Sequence, residues 1–253
     1  MSNGNPLKQK LQAGQPCFGA WLLSTSADMA EILACAGIDF LILDHEHGQG
    51  SIESAIGQLR AMKGTGCVSV LRTPSNDHVY IKRALDAGVG GIMVPNVNSA
   101  EEARRVVDAC RYAPRGFRGA FGGMRAMAYG FNPAYYDQCS DDTLIVVQVE
   151  NARAIDAIPE IAAVEGIDVV FIGPRDLSAS LGKLNQFDDP VVRGHIERAA
   201  AAILASGRLL GSTAASGKVA KDMAARGYRF IVPGSDATLL GLGVRAMLTE
   251  ARS

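Results

Sequence analysis

The sequence lacks the marks of several large functional classes. Its 253 residues carry a formal net charge of only -1, so there is no basic excess to meet a nucleic-acid backbone. With 48% apolar residues and balanced charge, it is not the chain of a disordered protein. No apolar run reaches the roughly 18–20 residues of a membrane span. Met1–Lys10 is polar, without the apolar core of a signal peptide. Aromatics are only 6% and there is one tryptophan, which together with 28 glycines argues against a β-sandwich. The five cysteines (Cys17, Cys35, Cys67, Cys110, Cys139) are an odd number without a C-x-x-C pair. Cys17, Cys35, Cys67 and Cys110 sit in apolar segments and read as small buried hydrophobes in a reducing cytoplasm. Neither the G-x-G-x-x-G of dinucleotide sites nor the G-K-[ST] of a P-loop is found at a strand end.

What is present is an alternation. Short apolar runs at 17–23, 38–44, 67–72, 90–95, 143–150, 168–173, 208–213 and 228–233 predict eight strands. The runs are mostly continuous, as in parallel strands buried on both faces. Between them lie helical patterns such as Ser26–Ala36, Ser51–Lys63, Asn76–Ala87 and Ser99–Cys110. Several open on Ser or Asn and close on Gly, and Ser99 with Glu102 predicts a capping box. Eight such units predict an α/β fold, a (β/α)8 TIM barrel in a single domain over 1–253, with an open doubly wound sheet as the rival. The stretch 111–142 is surplus to the repeat. Rich in Gly and Arg, it reads as a loop excursion near a site or subunit contact, or as a variable insertion.

A barrel of this kind carries its site at the C-terminal ends of the strands. Trp21, Asp44-His45-Glu46-His47, Arg72, Gln148-Val149-Glu150 and Gly173-Pro174-Arg175-Asp176 all fall there. Glu150 and Asp176, on adjacent strands, suit Mg2+ or another oxygen-loving divalent ion, and equally a pair of helix-starting acids. Strand alternation points His45 and His47 one way and Asp44 and Glu46 the other. A histidine within reach of a carboxylate makes a general base; a zinc site or a structural cluster are the alternatives. Arg72, ending an apolar strand, requires an acid partner or an anionic ligand. Trp21 suits a pocket wall or core packing. The helix start at Gly173–Ser178 offers backbone N–H groups to an anion. The ends of strands seven and eight, with Ser212 and Thr213 on the former, lack the glycine nest of a phosphate site.

Taken in order, GAWLLSTSADMAEILACAGIDFLILDHEHG, VLRTPSND, IMVPNVNSAEEA, VVQVEN and FIGPRDLSASLG resemble the HpcH/HpaI aldolase (aldolase/citrate lyase) family of metal-dependent pyruvate aldolases. The resemblance implies a (β/α)8 barrel, often with its last helix exchanged between subunits, in a homo-oligomer, a hexamer. It implies Glu150 and Asp176 as metal carboxylates for Mg2+, Mn2+ or Co2+, and His47 as catalytic base with Asp44 as its dyad partner. By the same resemblance Arg72 steadies the pyruvate enolate. Gln148 and Trp21 face the substrate, as does Pro174, and backbone N–H groups around Gly173 and Arg175 hold its carboxylate. Ser212 and Thr213 stand near the acceptor pocket. His45 and Arg175 depart from the family pattern.

The activity so implied is reversible retro-aldol cleavage of 4-hydroxy-2-oxo acids to pyruvate, or hydroxypyruvate, and an aldehyde. No strand ends in lysine, so a Schiff-base mechanism is the weaker rival. Two alternatives stand beside it: another enolate-forming lyase acting on CoA esters or phosphonopyruvate, and a non-catalytic metal or oxo-acid binding protein. The partners are then small molecules and further copies of the chain, not nucleic acid or membrane.

Overall fold

Strands without polar alternation leave no face for water, so they must lie between a filled interior and a coat of helices. The computed structural model describes residues 4–253; Met1–Asn3, the start of the polar segment read above as no signal peptide, lie outside the described residues. The strands are β1 (Cys17–Leu22), β2 (Phe40–Asp44), β3 (Val68–Arg72), β4 (Gly91–Val94), β5 (Leu144–Val149), β6 (Val169–Ile172), β7 (Leu209–Thr213) and β8 (Tyr228–Val232). They pair in parallel, in sequence order, and β8 returns to β1, closing the barrel. The barrel expectation holds, and the open sheet is excluded.

The helices run as α1 (Pro6–Gln12), α2 (Ala27–Cys35), α3 (Ile52–Ala61), α4 (His78–Ala87), α5 (Ala100–Cys110) and α6 (Tyr135–Asp142). Then come α7 (Ala152–Asp156), α8 (Ile158–Ala162), α9 (Pro174–Ser180), α10 (Pro190–Ala205), α11 (Gly217–Ala225) and α12 (Asp236–Ala251). Caps set their starts: Ser26, Ser51, Asp77 and Ser99 each accept a first-turn N–H. At α5 the predicted capping box forms only by half. Ser99 accepts from Glu102 N–H, but the Glu102 carboxylate turns one residue further back, to Asn98 N–H at 2.7 Å.

Alternation along each strand sorts residues into two cores. Phe40, Ile42, Val70, Met93, Val146, Phe171 and Phe230 fill the interior. Phe40 and Phe230 stack with ring centroids 4.0 Å apart, in space that any side chain at Gly19 would take. Leu41, Leu43, Leu71, Ile92, Val147 and Ile172 face the helices instead. At the N-terminal end α1 plugs the barrel with Leu7 and Leu11. Polar groups pair around the plug: Asn5 donates to Gly90 O and Asp142 O, and Lys8 pairs with Asp168 at 3.0 Å.

The 111–142 excursion lies at this same N-terminal end. It leaves the C-terminus of α5 and enters the start of β5, so it belongs where helices finish and strands begin. Its Arg118 pairs with Asp86 of α4 at 2.8 Å and donates to Tyr135 Oη at 3.1 Å. Arg125 donates to Ala87 O at 2.6 Å. Within one subunit, then, the excursion is not near the C-terminal strand ends, which corrects that part of the expectation.

Cys35 is likewise corrected, being exposed at the end of α2. Cys17, Cys110 and Cys139 are buried; burial pushes Cys17 up to about 11 and Cys110 up to about 12. Among the described residues no helix is long and apolar enough to cross a membrane. Helix α12 stands apart: only Asp236 of its 16 residues is buried, while Leu239, Leu240, Leu242, Val244 and Met247 are exposed.

Candidate active site

Parity decides what reaches the barrel mouth. Phe40 and Ile42 face inward on β2, so Asp44 does too; Val68 and Val70 do so on β3, so Arg72 follows. The two meet in a bidentate pair, Nε to Oδ1 at 2.8 Å and Nη2 to Oδ2 at 2.6 Å. The remaining Nη1 lies 2.8 Å from Glu46 Oε2. The guanidinium carbon sits 4.2 Å from the centroid of Trp21, whose ring meets Phe171 edge-on. Arg72 is thus held by the hydrogen-bonded Asp44, the ion-paired Glu46 and an aromatic face, with N–H groups on Nη1 and Nη2 left for a ligand.

Two expectations about this segment change. Asp44 does not bond the His47 ring: its carboxylate is committed to Arg72 and to the backbone N–H groups of Glu46 and His47. The acid nearest that ring is Glu46, with Oε2 3.9 Å from Nε2. Nor do the histidines share a face. His47 is exposed to the mouth's solvent, whereas His45 is buried outside the barrel with Nδ1 2.8 Å from Tyr80 Oη. Burial lowers the His45 pKa, and its Nε2 has no hydrogen-bond partner. A zinc site built from both is excluded. Glu46, given no role in the sequence reading, was signalled by its parity with Asp44.

Across the mouth, Gln148 and Glu150 face inward from β5 and its exit. Glu150 Oε1 accepts Asn96 N–H at 2.7 Å, and Oε2 accepts Gln148 Nε2 at 3.0 Å. Burial, and then the negative charges of Glu46 and Asp176, push the Glu150 pKa up to about 7. Burial also raises that of Glu46. Gly173 is required here, because a Cβ would stand 2.6 Å from Glu150 Oε2. Asp176 lies in the first turn of α9, whose first helical bond runs from Leu177 N–H to Gly173 O, leaving the N–H groups of Arg175 and Asp176 ahead of it. Pro174 opens that turn.

Some predicted residues point elsewhere. The Arg175 guanidinium turns outward and donates to Asn185 Oδ1 at 2.9 Å. Ser212, in register with outward-facing Ile172, donates to Ile172 O at 2.9 Å on the helix side of the sheet. Thr213, in register with inward-facing Val232, stays on the inner face.

The donor set suits a hard divalent ion. Among the described residues no three His, Cys, Asp or Glu side chains converge tightly enough to hold a metal by themselves. Glu150 just after β5 and Asp176 in α9, just after the neighbouring β6, are the two carboxylates available, and an ion of the Mg2+ type keeps its other positions for water or ligand. Two observations favour a cation: the buried Glu150, raised further by the negative charges of Glu46 and Asp176, and Gln148 Oε1, buried without a donor among the described residues.

A closed (β/α)8 barrel with its charged groups gathered at the C-terminal strand ends has the architecture of a barrel enzyme. The chain belongs to the HpcH/HpaI aldolase/citrate lyase family, whose model matches residues 17–241. It is 39% identical over 244 residues to a hydroxypyruvate/pyruvate aldolase of Deinococcus radiodurans, covering 96% of this chain and 88% of that one. A 4-hydroxy-2-oxo-heptane-1,7-dioate aldolase of Escherichia coli is 38% identical, over 96% of this chain and 93% of its own. A family member of solved structure from Burkholderia cenocepacia superposes with a TM-score of 0.95 at 36% identity, covering 98% and 100% of the two chains.

Proposed function

We propose that this chain is a divalent-metal-dependent aldolase, a carbon–carbon lyase. It cleaves 4-hydroxy-2-oxo acids reversibly to pyruvate or hydroxypyruvate and an aldehyde. The observation that carries the reading is the opposition across one mouth of a held guanidinium, Arg72, and a cation-seeking carboxylate pair, Glu150 with Asp176. Glu150 and Asp176 would hold the ion, which when bound polarises the 2-oxo group as a Lewis acid.

The chain's own groups do the rest. The N–H groups at the start of α9 receive the substrate carboxylate. His47 takes the 4-hydroxyl proton at a ring nitrogen, and the O–H electron pair becomes the aldehyde C=O. The C3–C4 bond breaks and its electrons pass through C3 to the 2-oxygen, forming the enolate. Arg72 meets that growing charge with its remaining N–H groups. Gln148 Oε1 faces the same oxo acid, and Trp21 and Thr213 wall the acceptor side. Protonation at C3 gives the product acid. Asp44 and Glu46 act by fixing Arg72, and Glu46 stands closest to the His47 ring.

The exposed apolar face of α12 favours an assembly in which this helix packs on a second copy. The exposed Phe117, Phe121 and Phe131 of the excursion add a further contact surface. The resemblance makes that assembly a hexamer, and light scattering reads its mass. Five unpaired cysteines fit a reducing, cytoplasmic setting.

A pyruvate-release screen across 4-hydroxy-2-oxo acids, with and without Mg2+, Mn2+ or Co2+, tests the activity. Metal-dependent release from at least one is expected. Metal-dependent turnover of CoA thioesters alone would overturn the reading.

A further inference from the structure

We propose that Asn96 is a positioning residue whose left-handed backbone aims Glu150, locked in place by two further asparagines. This rests on the reading of Glu150 as a metal carboxylate. Asn96 follows the end of β4 with φ 54, a region that asparagine tolerates and β-branched residues avoid. Its two neighbours cannot supply the donor Glu150 needs. Pro95 has no N–H, and Val97 N–H is committed to Gln148 O at 2.9 Å. The left-handed turn at Asn96 therefore sends its own N–H to Glu150 Oε1 at 2.7 Å.

The side chain of Asn96 holds that turn in shape. Its Oδ1 accepts from Asn98 Nδ2 and from Asn151 Nδ2, each at 3.1 Å. Asn98 Nδ2 also donates to Asn96 O at 2.9 Å, and Asn151 Nδ2 reaches Asn98 Oδ1. The two partners are anchored in turn. Asn151 Oδ1 caps α7 through Ala154 N–H at 3.0 Å, and Asn98 N–H is tied to Glu102 Oε2 at 2.7 Å. The exits of β4 and β5 are thus bolted together on one side of Glu150. With Asn96 N–H on Oε1 and Gln148 on Oε2, both oxygens are fixed, and each keeps a lone pair for a cation. Groups that orient a metal ligand in this way commonly govern its affinity.

The test is Mn2+ binding to the full chain, read as loss of the free-ion EPR signal, with melting temperature measured in parallel. Asn96→Val should bind Mn2+ at least about tenfold more weakly. Asn96→Gly, which takes left-handed backbone freely but loses the bonds to Asn98 and Asn151, should weaken binding clearly less than Asn96→Val does. Should Asn96→Val fail to fold, Asn96→Ala carries the same backbone conflict with less bulk. A merely structural role would lower the melting temperatures and leave Mn2+ affinity of the folded protein unchanged. Wild-type affinity in the Val or Ala variant, or equal weakening in the Gly variant, would overturn the proposal. Glu150→Gln separates the two levels. If it loses Mn2+ while Asn96→Val keeps it, the positioning role alone falls; if it binds like the wild type, the reading of Glu150 falls.

Discussion

The two ends of this barrel are built from the same kinds of residue to opposite effect. At the N-terminal end acids and bases answer one another. Lys8 meets Asp168, Arg118 meets Asp86, and Asp39 takes both Lys10 and Phe18 N–H. At the C-terminal end Asp44 and Glu46 share one arginine, the charges of Glu46 and Asp176 bear on the buried Glu150, and among the described residues Gln148 Oε1 has no donor. The N-terminal end even has a roomy groove, about 690 Å3, bordered by Gly90, Tyr129 and Thr143. Space does not make a site, and neither does an unbonded atom alone, since Arg118 Nε and Nη1 are also buried without a hydrogen-bond partner among the described residues; acids crowded round one mouth do. The first end is spent on stability, whereas the second withholds stability for use on a ligand.

Substitutions at the two ends should therefore separate activity from stability. The largest effect is expected from Glu150→Gln, with aldol cleavage lost by about a thousandfold or more and the fold kept, as circular dichroism would show. Retained turnover would erase the contrast. Next is Arg72→Ala, with an expected loss of about a hundredfold or more in kcat. Because it leaves Asp44 buried and unpaired, it should also cost about 3–5 kcal/mol in denaturant unfolding. At the other end Asp86→Ala strands the buried Arg118. A similar loss of stability is expected, but with kcat of the folded enzyme unchanged; a fall in kcat would mean that the two ends are coupled.

The smallest effect is pH-dependent. Glu150 in the folded chain is raised from 4.5 to about 7. Its contribution to stability is then full below about 4.5 and is lost as pH rises through about 7, an effect of about 3 kcal/mol. A divalent ion removes that penalty, so Mg2+ should raise the melting temperature more at pH 8 than at pH 5.5, by about 5–10 °C. An equal shift at both pH values would argue against Glu150 as the group that meets the ion.

The same contrast marks what could be read from sequence. Strand positions were legible because β2 through β8 are continuous apolar runs, and each ends within a residue or two of its expected place. Parity along a strand is also local, and it carries Asp44, Arg72 and Gln148 to the mouth. Parity between strands is not local. Ser212 and Thr213 look alike as strand-end residues, and only the register of β7 against β6 and β8 turns one outward and the other inward. The bond of His45 to Tyr80 likewise depends on how α4 packs. The excursion misled by composition, although its order of helix, excursion and strand already put it at the N-terminal end. The role of Asn96 rests on one backbone angle, which no residue pattern states.

The most direct test of the central claim is deuterium exchange at C3 of pyruvate, followed by NMR in D2O with the chelator-stripped enzyme. The account predicts no exchange above background until Mg2+, Mn2+ or Co2+ is added, and rapid exchange afterwards. Exchange undiminished in chelator, with borohydride trapping pyruvate on a lysine, would contradict it.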